Sequence, residues 1–195
     1  KTKIYVNPAF SHLTEYIGQI PSNFWTTGEV LHNGRNEVRK VVVQGETLVI
    51  KYFKKITWAN RLIFATVRKS KAQRSFENSR HLVRNGITTP SPVAFVDIYK
   101  NGLLYRSFYI STFLDFKPVR EFLNSSLTEA ESGLKAFSQF SYNLHRLGIF
   151  HGDYNVNNVL YQFNGKEYQF ALIDNNRIRF RTYTKRRGIK NLRRL

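Results

Sequence analysis

The 195-residue sequence has no cysteine and no methionine, and its 13 acidic residues are outnumbered by 31 lysines and arginines. The missing cysteine excludes a disulfide framework and any thiolate metal site. It also removes the usual marker of redox compartment, which leaves the cytoplasm as the default expectation. The missing methionine predicts that the natural chain begins upstream of Lys1. Long apolar runs are absent too: none approaches the ~18 residues that span a bilayer. The opening KTKIYVNPAF carries neither the apolar core nor the small-residue cleavage site of a secretory leader. Repeats and low-complexity tracts do not occur. The remainder is 42% hydrophobic and 15% aromatic, enough to bury a core. The length therefore suits one domain, or two small lobes, rather than a disordered chain.

The net charge of +18 is unevenly distributed. Residues 51–84 hold ten basic side chains and a single acid, Glu77, while 175–195 hold nine and no acid. Such asymmetry points to an anionic partner: a nucleotide, a phosphosugar, nucleic acid or an acidic membrane surface. Nucleic acid is the weakest of these, because no recognised motif occurs and the aromatics do not alternate with the basic runs. Near an anionic leaflet each Lys or Arg adds ~1 kcal/mol, so a few suffice for peripheral attachment.

Periodicity predicts two β-runs in VRKVVVQGETLVIKYF, turning at Gln44-Gly45-Glu46, then a helix over 60–85. Ala72, Phe76, Ser79 and Val83 share one face of that helix. A hairpin follows over 94–113, with Asn101-Gly102 suited to a two-residue type I′ turn. Ser126-Leu127-Thr128-Glu129 forms a capping box. It opens a helix whose Leu134, Phe137, Ser141 and Leu144 lie on one face, and strands 159–163 and 168–173 meet through Asn164-Gly165. A strand-rich half followed by a helical half predicts an α+β fold with two lobes. The boundaries are expected at 1–113 for the first lobe, 114–120 for a hinge and 121–195 for the second.

The chemistry concentrates in HGDYNVNNVLYQFNGKEYQFALIDNN, residues 151–176. Asp153 follows a helix end, Asn158 comes five residues later, and Asp174 ends the next strand. A hairpin between Asn158 and Asp174 lets those two converge on one hard cation such as Mg²⁺, which favours carboxylate and amide oxygen. Asp153 stands beside them, placed to accept a proton from an attacking hydroxyl, as phosphoryl transfer requires. Lys51 ends the apolar run TLVIK and supplies a cation for nucleotide phosphates. Glu77 is its expected partner: opposite charges ~4 Å apart gain roughly 4 kcal/mol at an effective dielectric of 20, before desolvation. His151 is expected to brace the loop. Taken alone, Asp153 and Asn158 are equally well read as turn residues.

These segments carry a family resemblance. HGDYNVNN resembles the catalytic loop of the protein-kinase-like fold, LIDNN its metal-binding segment, VIK its third-strand lysine motif and FEN its helix glutamate. KSKAQRSFEN, NGITTPSPVAFV, HGDYNVNNVLY and LIDNNRIRF resemble the lipopolysaccharide kinase (Kdo/WaaP) family within that superfamily. The resemblance implies an ATP- and Mg²⁺-dependent kinase with a two-lobed fold, a β-rich first lobe and a minimal or incomplete helical second one. It implies transfer of the γ-phosphate to a sugar hydroxyl of the lipopolysaccharide inner core, so the acceptor is an anionic glycolipid or phosphosugar. Asp153 then corresponds to the base, Asn158 and Asp174 to Mg²⁺ ligands, Lys51 to the phosphate lysine, and Glu77 to its partner. The nucleotide is expected beneath the Gly45 hairpin.

There are departures from the pattern. HNGRNEVRK offers one glycine, Gly34, where a phosphate-covering loop usually has several, and DNN replaces DFG. The chain runs only about twenty residues past Asp174. Two rivals follow: a kinase acting on a protein or small-metabolite acceptor, and an inactive kinase-like binding module.

Overall fold

The computed structural model describes residues 1–54, 69–193 and 195, with nothing stated for the side chains of Leu123 and Glu129. The first part of the helix expected over 60–85 and the Glu129 half of the capping box therefore lie outside the described residues. The chain forms two compact units. One comprises Lys1–His81 and Pro90–Phe113; the other comprises Leu82–Thr89 and Leu114–Leu195.

The first unit is built on a six-stranded sheet, β1 (Thr2–Val6), β2 (Glu29–Asn33), β3 (Glu37–Val43), β4 (Glu46–Tyr52), β5 (Pro92–Lys100) and β6 (Leu103–Thr112). Its spatial order is β1-β5-β6-β4-β3-β2, and every pairing is antiparallel. Two hairpins close as expected. Gln44 and Gly45 take φ of 50° and 81°, Asn101 and Gly102 take 52° and 75°. Positive φ at both central positions is the type I′ signature, whose twist matches that of the strands.

Side chains alternate across this sheet. Leu48, Ile50, Ala94, Val96, Phe108 and Ile110 face one side, where helix α1 (Thr14–Asn23) and its flanks add Leu13, Ile17, Ile20 and Phe24. Phe53, Phe95 and Tyr109 face the other, against Ala72 and Phe76 of helix α2 (Lys71–Arg84). Each Val, Leu, Ile or Phe buried there is worth ~1.5–3 kcal/mol relative to exposure. Ala72, Phe76 and Ser79 are buried as the periodicity predicts, but Val83 is exposed and Leu82 takes the inward position. The reason is a change of partner at the end of α2: Leu82 packs with the core of the second unit.

The second unit holds helix α3 (Leu127–Arg146), the three-stranded sheet β10-β9-β7 and the short pair β11-β8. Here β7 is Lys117–Pro118, β8 Ile149–Phe150, β9 Val159–Phe163, β10 Tyr168–Leu172 and β11 Arg179–Phe180. The segment expected as a hinge thus contributes a strand, since Lys117 pairs with Tyr161. On α3, Phe137, Ser141 and Leu144 are buried, but Leu134 is 45% exposed. Gly133 is the inward residue instead, because a Cβ there would lie 2.7 Å from the Phe122 ring. The chain ends in helix α4 (Lys185–Leu192), capped by Thr184, whose hydroxyl accepts from the Arg187 amide.

Asp97 is fully buried on the α2 side of the first sheet and accepts from Ser107 Oγ at 2.7 Å. Burial pushes its carboxyl above the usual range, against the Ser107 hydrogen bond and the Lys3 charge. The folded state therefore holds a proton that the unfolded chain releases near pH 3.8. This contribution is present at low pH and is lost as pH rises through the native value. Asp97→Asn keeps an oxygen for Ser107 without the charge. Its melting temperature relative to wild type is expected to rise between about pH 4 and pH 7; a difference that stays flat across that range would contradict the buried-acid account.

Candidate active site

In the second unit, three of the expected residues are assembled by one network. The loop after β8 folds back so that the Asp153 carbonyl accepts from Asn155 Nδ2 at 3.0 Å and from Asn158 Nδ2 at 2.8 Å. Asn155 Oδ1 in turn accepts from the Asn157 amide at 2.9 Å, an Asx turn that fixes the bend. Asn158 is therefore oriented: its NH₂ is committed to Asp153, which leaves Oδ1 as the atom it can present to a cation. Val159 pairs with Leu172 across the β9–β10 ladder, and the Ile173 amide donates to the Asn158 carbonyl at 3.0 Å. Asn158 and Asp174 consequently emerge at the same end of that ladder.

His151 ties the loop to the strand. Its Nε2 lies 2.9 Å from the Ile173 carbonyl, and its Nδ1 lies 3.1 Å from the Asp153 amide. A carbonyl can only accept and an amide can only donate, so Nε2 carries the proton and Nδ1 is bare. The ring is wholly buried. That burial depresses its pKa, with the Ile173 hydrogen bond and the charges of Asp174 and Asp153 opposing. His151 braces the loop as expected from sequence, and the geometry requires its ring to be neutral.

Close contacts shape the rest of the loop. A Cβ on Gly152 would lie 2.5 Å from the Arg177 carbonyl oxygen, so only glycine fits between the histidine and the aspartate. Tyr154 is fully buried, its hydroxyl 2.7 Å from Ser141 Oγ, and anchors the loop to α3. Arg177 approaches Asp153 at 3.8 Å, a loose and half-exposed pair worth little. Asp174 sits in the left-handed region at φ 57° and ψ 48°, and its Oδ1 accepts from Asn176 Nδ2. Behind it, Asn175 donates to Thr89 Oγ1 at 2.8 Å, and Thr89 donates to the Leu172 carbonyl at 2.7 Å. Sequence reasoning missed Tyr154, Thr89 and Asn175. A tyrosine or asparagine in a run of turn formers gives no periodic signal, and Thr89 lies more than eighty residues from its partners.

Among the described residues, no group of three or more His, Cys, Asp or Glu could hold a metal. Asn158 and Asp174 offer two hard oxygen donors. That suits Mg²⁺, which keeps waters and phosphate oxygens for its remaining positions, and does not suit a closed all-protein site.

In the first unit, Lys51 is paired in register with Val38 and Tyr109. It shares the α2-facing side of the sheet with Phe53, whose ring lies 5.5 Å from its Nζ. Tyr109 reaches α2 through Ser79 at 3.0 Å, and burial pushes its phenol up to about 12. Glu77 on α2 receives Lys69 at 2.7 Å and Gln73 Nε2 at 2.9 Å. Gly34 lies in the turn between β2 and β3, next to Asn33 and Glu37, which bind Lys54. Burial works to raise the Glu37 carboxyl, but Arg39 and Lys54 hold it below its usual value. Glu37 pairs with Tyr52 and Val43 with Glu46, so Lys51 lies at the Gly34 end of β3–β4 and not at the Gly45 end.

The depressed His151 pKa gives a pH test. Stability carried by the neutral ring is fully present above its ordinary value of 6.5 and is lost as pH falls toward the lower native value. The melting-temperature gap between wild type and His151→Gln is expected to narrow between about pH 6.5 and pH 5. A gap that widens on acidification would show that the ring is held charged.

Comparison with curated proteins finds no match. Solved structures do match. One titled "WaaP in complex with acyl carrier protein" aligns with a TM-score of 0.65 and 16% identity, covering 97% of this chain and 78% of that one. A second, the Rio2 kinase-ADP/Mg²⁺-phosphoaspartate complex from Chaetomium thermophilum, aligns with a TM-score of 0.63 and 15% identity. It covers 97% of this chain and 59% of that one. At such identities these establish the fold, an α+β protein-kinase-like one. The lipopolysaccharide kinase (Kdo/WaaP) family model matches residues 24–195, across both units and every motif described above, and the chain belongs to that family of kinases.

Proposed function

We propose that the chain transfers the γ-phosphoryl group of ATP to a sugar hydroxyl of the lipopolysaccharide inner core, on Kdo or heptose. The observation that carries this reading is the double commitment of the Asp153 carbonyl, which holds Asn158 with its oxygen turned outward at the end of the ladder that delivers Asp174. Family membership supports the reaction class.

In this reading Asp153 accepts the proton of the attacking hydroxyl, and His151 keeps its backbone in place. Asn158 Oδ1 and the Asp174 carboxylate hold Mg²⁺, which when bound neutralises charge on the phosphates. Lys51, with the Gly34 turn at the same end of its strands, contacts the nucleotide phosphates. Glu77 orders Lys51 from α2 and is itself fixed by Lys69 and Gln73. Arg177 is drawn to Asp153 loosely enough to turn toward an anionic acceptor. No helix among the described residues is long and apolar enough to cross a membrane. The acid-free basic stretch over 175–195 supports peripheral contact with an anionic bilayer on the cytoplasmic face.

Asp153→Asn is expected to lower kcat by about 10²–10⁴-fold. Its affinity for ATP with Mg²⁺, read by calorimetry, should stay within a few-fold of wild type. Asp174→Ala and Asn158→Ala should instead remove the Mg²⁺ dependence of nucleotide binding. Transfer is followed with labelled ATP and core-sugar acceptors; wild-type turnover by Asp153→Asn would refute the assigned base.

A further inference from the structure

The half-buried polar bridge beneath the candidate loop has no role in the reading above. Asn191, on the last turn of α4, donates from Nδ2 to the His151 carbonyl at 2.6 Å. A carbonyl accepts only, so this contact fixes the orientation of the amide and turns Oδ1 the other way. There it meets His145 Nε2 at 2.9 Å, and since Oδ1 can only accept, His145 must carry its proton on Nε2. His145 is itself clamped. It is buried near the end of α3, stacks on Phe150 with ring centroids 5.2 Å apart, and has Gly188 of α4 close beside its Nδ1. One amide thus joins α3, α4 and the peptide group between His151 and Gly152, two residues before Asp153.

The adjoining peptides are already defined by other partners: Asp153 N–H goes to His151 Nδ1 and the Asp153 carbonyl to Asn155 and Asn158. The carbonyl of the His151–Gly152 peptide instead accepts from another element, α4. Gly152 has no side chain to resist rotation of this peptide.

We infer that Asn191 is a positioning residue for the reaction, holding the His151–Gly152 peptide so that Asp153 points correctly, and that docking of α4 is thereby coupled to activity. This rests on the kinase reading for its effect on turnover, but not for its effect on the peptide.

Two variants and two readouts test it. Asn191→Ala removes both contacts. Asn191→Asp keeps the size and the acceptor for His145 but has no N–H for the His151 carbonyl. Both are expected to lower kcat by about tenfold, the scale of a small misplacement of a reacting group, with KM for ATP within twofold. Both should move the backbone ¹⁵N resonance of Gly152, which shares the affected peptide bond, and Asn191→Asp should also raise the titration midpoint of His145. Asn191→Asp with wild-type kcat, or with an unmoved Gly152 resonance, overturns the inference. If the wild-type protein transfers no phosphate, the kinase reading fails, and the Gly152 resonance alone, read without nucleotide, still decides whether Asn191 sets the loop.

Discussion

The neutral imidazole of His151 is the constraint on which the candidate site depends. A loop rich in Asp and Asn has many hydrogen-bonding conformations open to it. One conformation is selected because a buried ring must satisfy both nitrogens at once, with Ile173 accepting on one side and the Asp153 amide donating on the other. A charged ring would have to give up the second contact, and burial opposes that charge. The result is that Asp153 on the loop and Asp174 beyond Ile173 are referred to one rigid group, a shared reference that a flexible linker of twenty residues would not provide.

Much of this was legible in the sequence. The I′ turn followed from Asn101-Gly102, the turn at Gln44-Gly45 from its place between two β-runs, and the family from dispersed motifs in the right order. The spacing of Asn158 and Asp174 correctly implied a hairpin that returns the chain. What failed did so for identifiable reasons. Leu134 and Val83 were assigned inward by helical period, but period gives a face, not the identity of what covers it. Gly133 is inward because Phe122 needs the room, and Leu82 because α2 changes partner. The short strand β7 within 114–120 was not read, because two residues give no alternation. Gln73 lies one turn from Glu77, so that contact was open to sequence reasoning. The Thr89 and Asn191 ties were not, since their partners are brought near only by the finished fold.

The chain's charge acts differently in different places. Most of the basic residues are solvated and say little about fold. In α4, however, Lys185, Arg186 and Arg187 occupy the first turn, where the helix dipole disfavours cations by about 0.3–1 kcal/mol each. A helix of eight residues is too short to be stable by propensity. It persists through Thr184 at its cap, Gly188 against His145, and Asn191 in the bridge. Its local electrostatics and its packing therefore pull in opposite directions.

Asp174 shows how such constraints add. A non-glycine residue in the left-handed region is strained, and Asp tolerates it better than most. Here the strain is absorbed on both sides. The Leu172 amide donates to the Thr88 carbonyl, Thr89 returns a bond to the Leu172 carbonyl, and Asn175 binds Thr89. The Leu172 backbone before Asp174 and the Asn175 side chain after it are thus tied to a single short segment, Thr88–Thr89, and the turn at Asp174 falls between the two ties. Asn176 then steadies the carboxylate that results. That explains why Leu82–Thr89 belongs with the second unit although it follows a helix of the first: its threonines fix the turn that presents the acid.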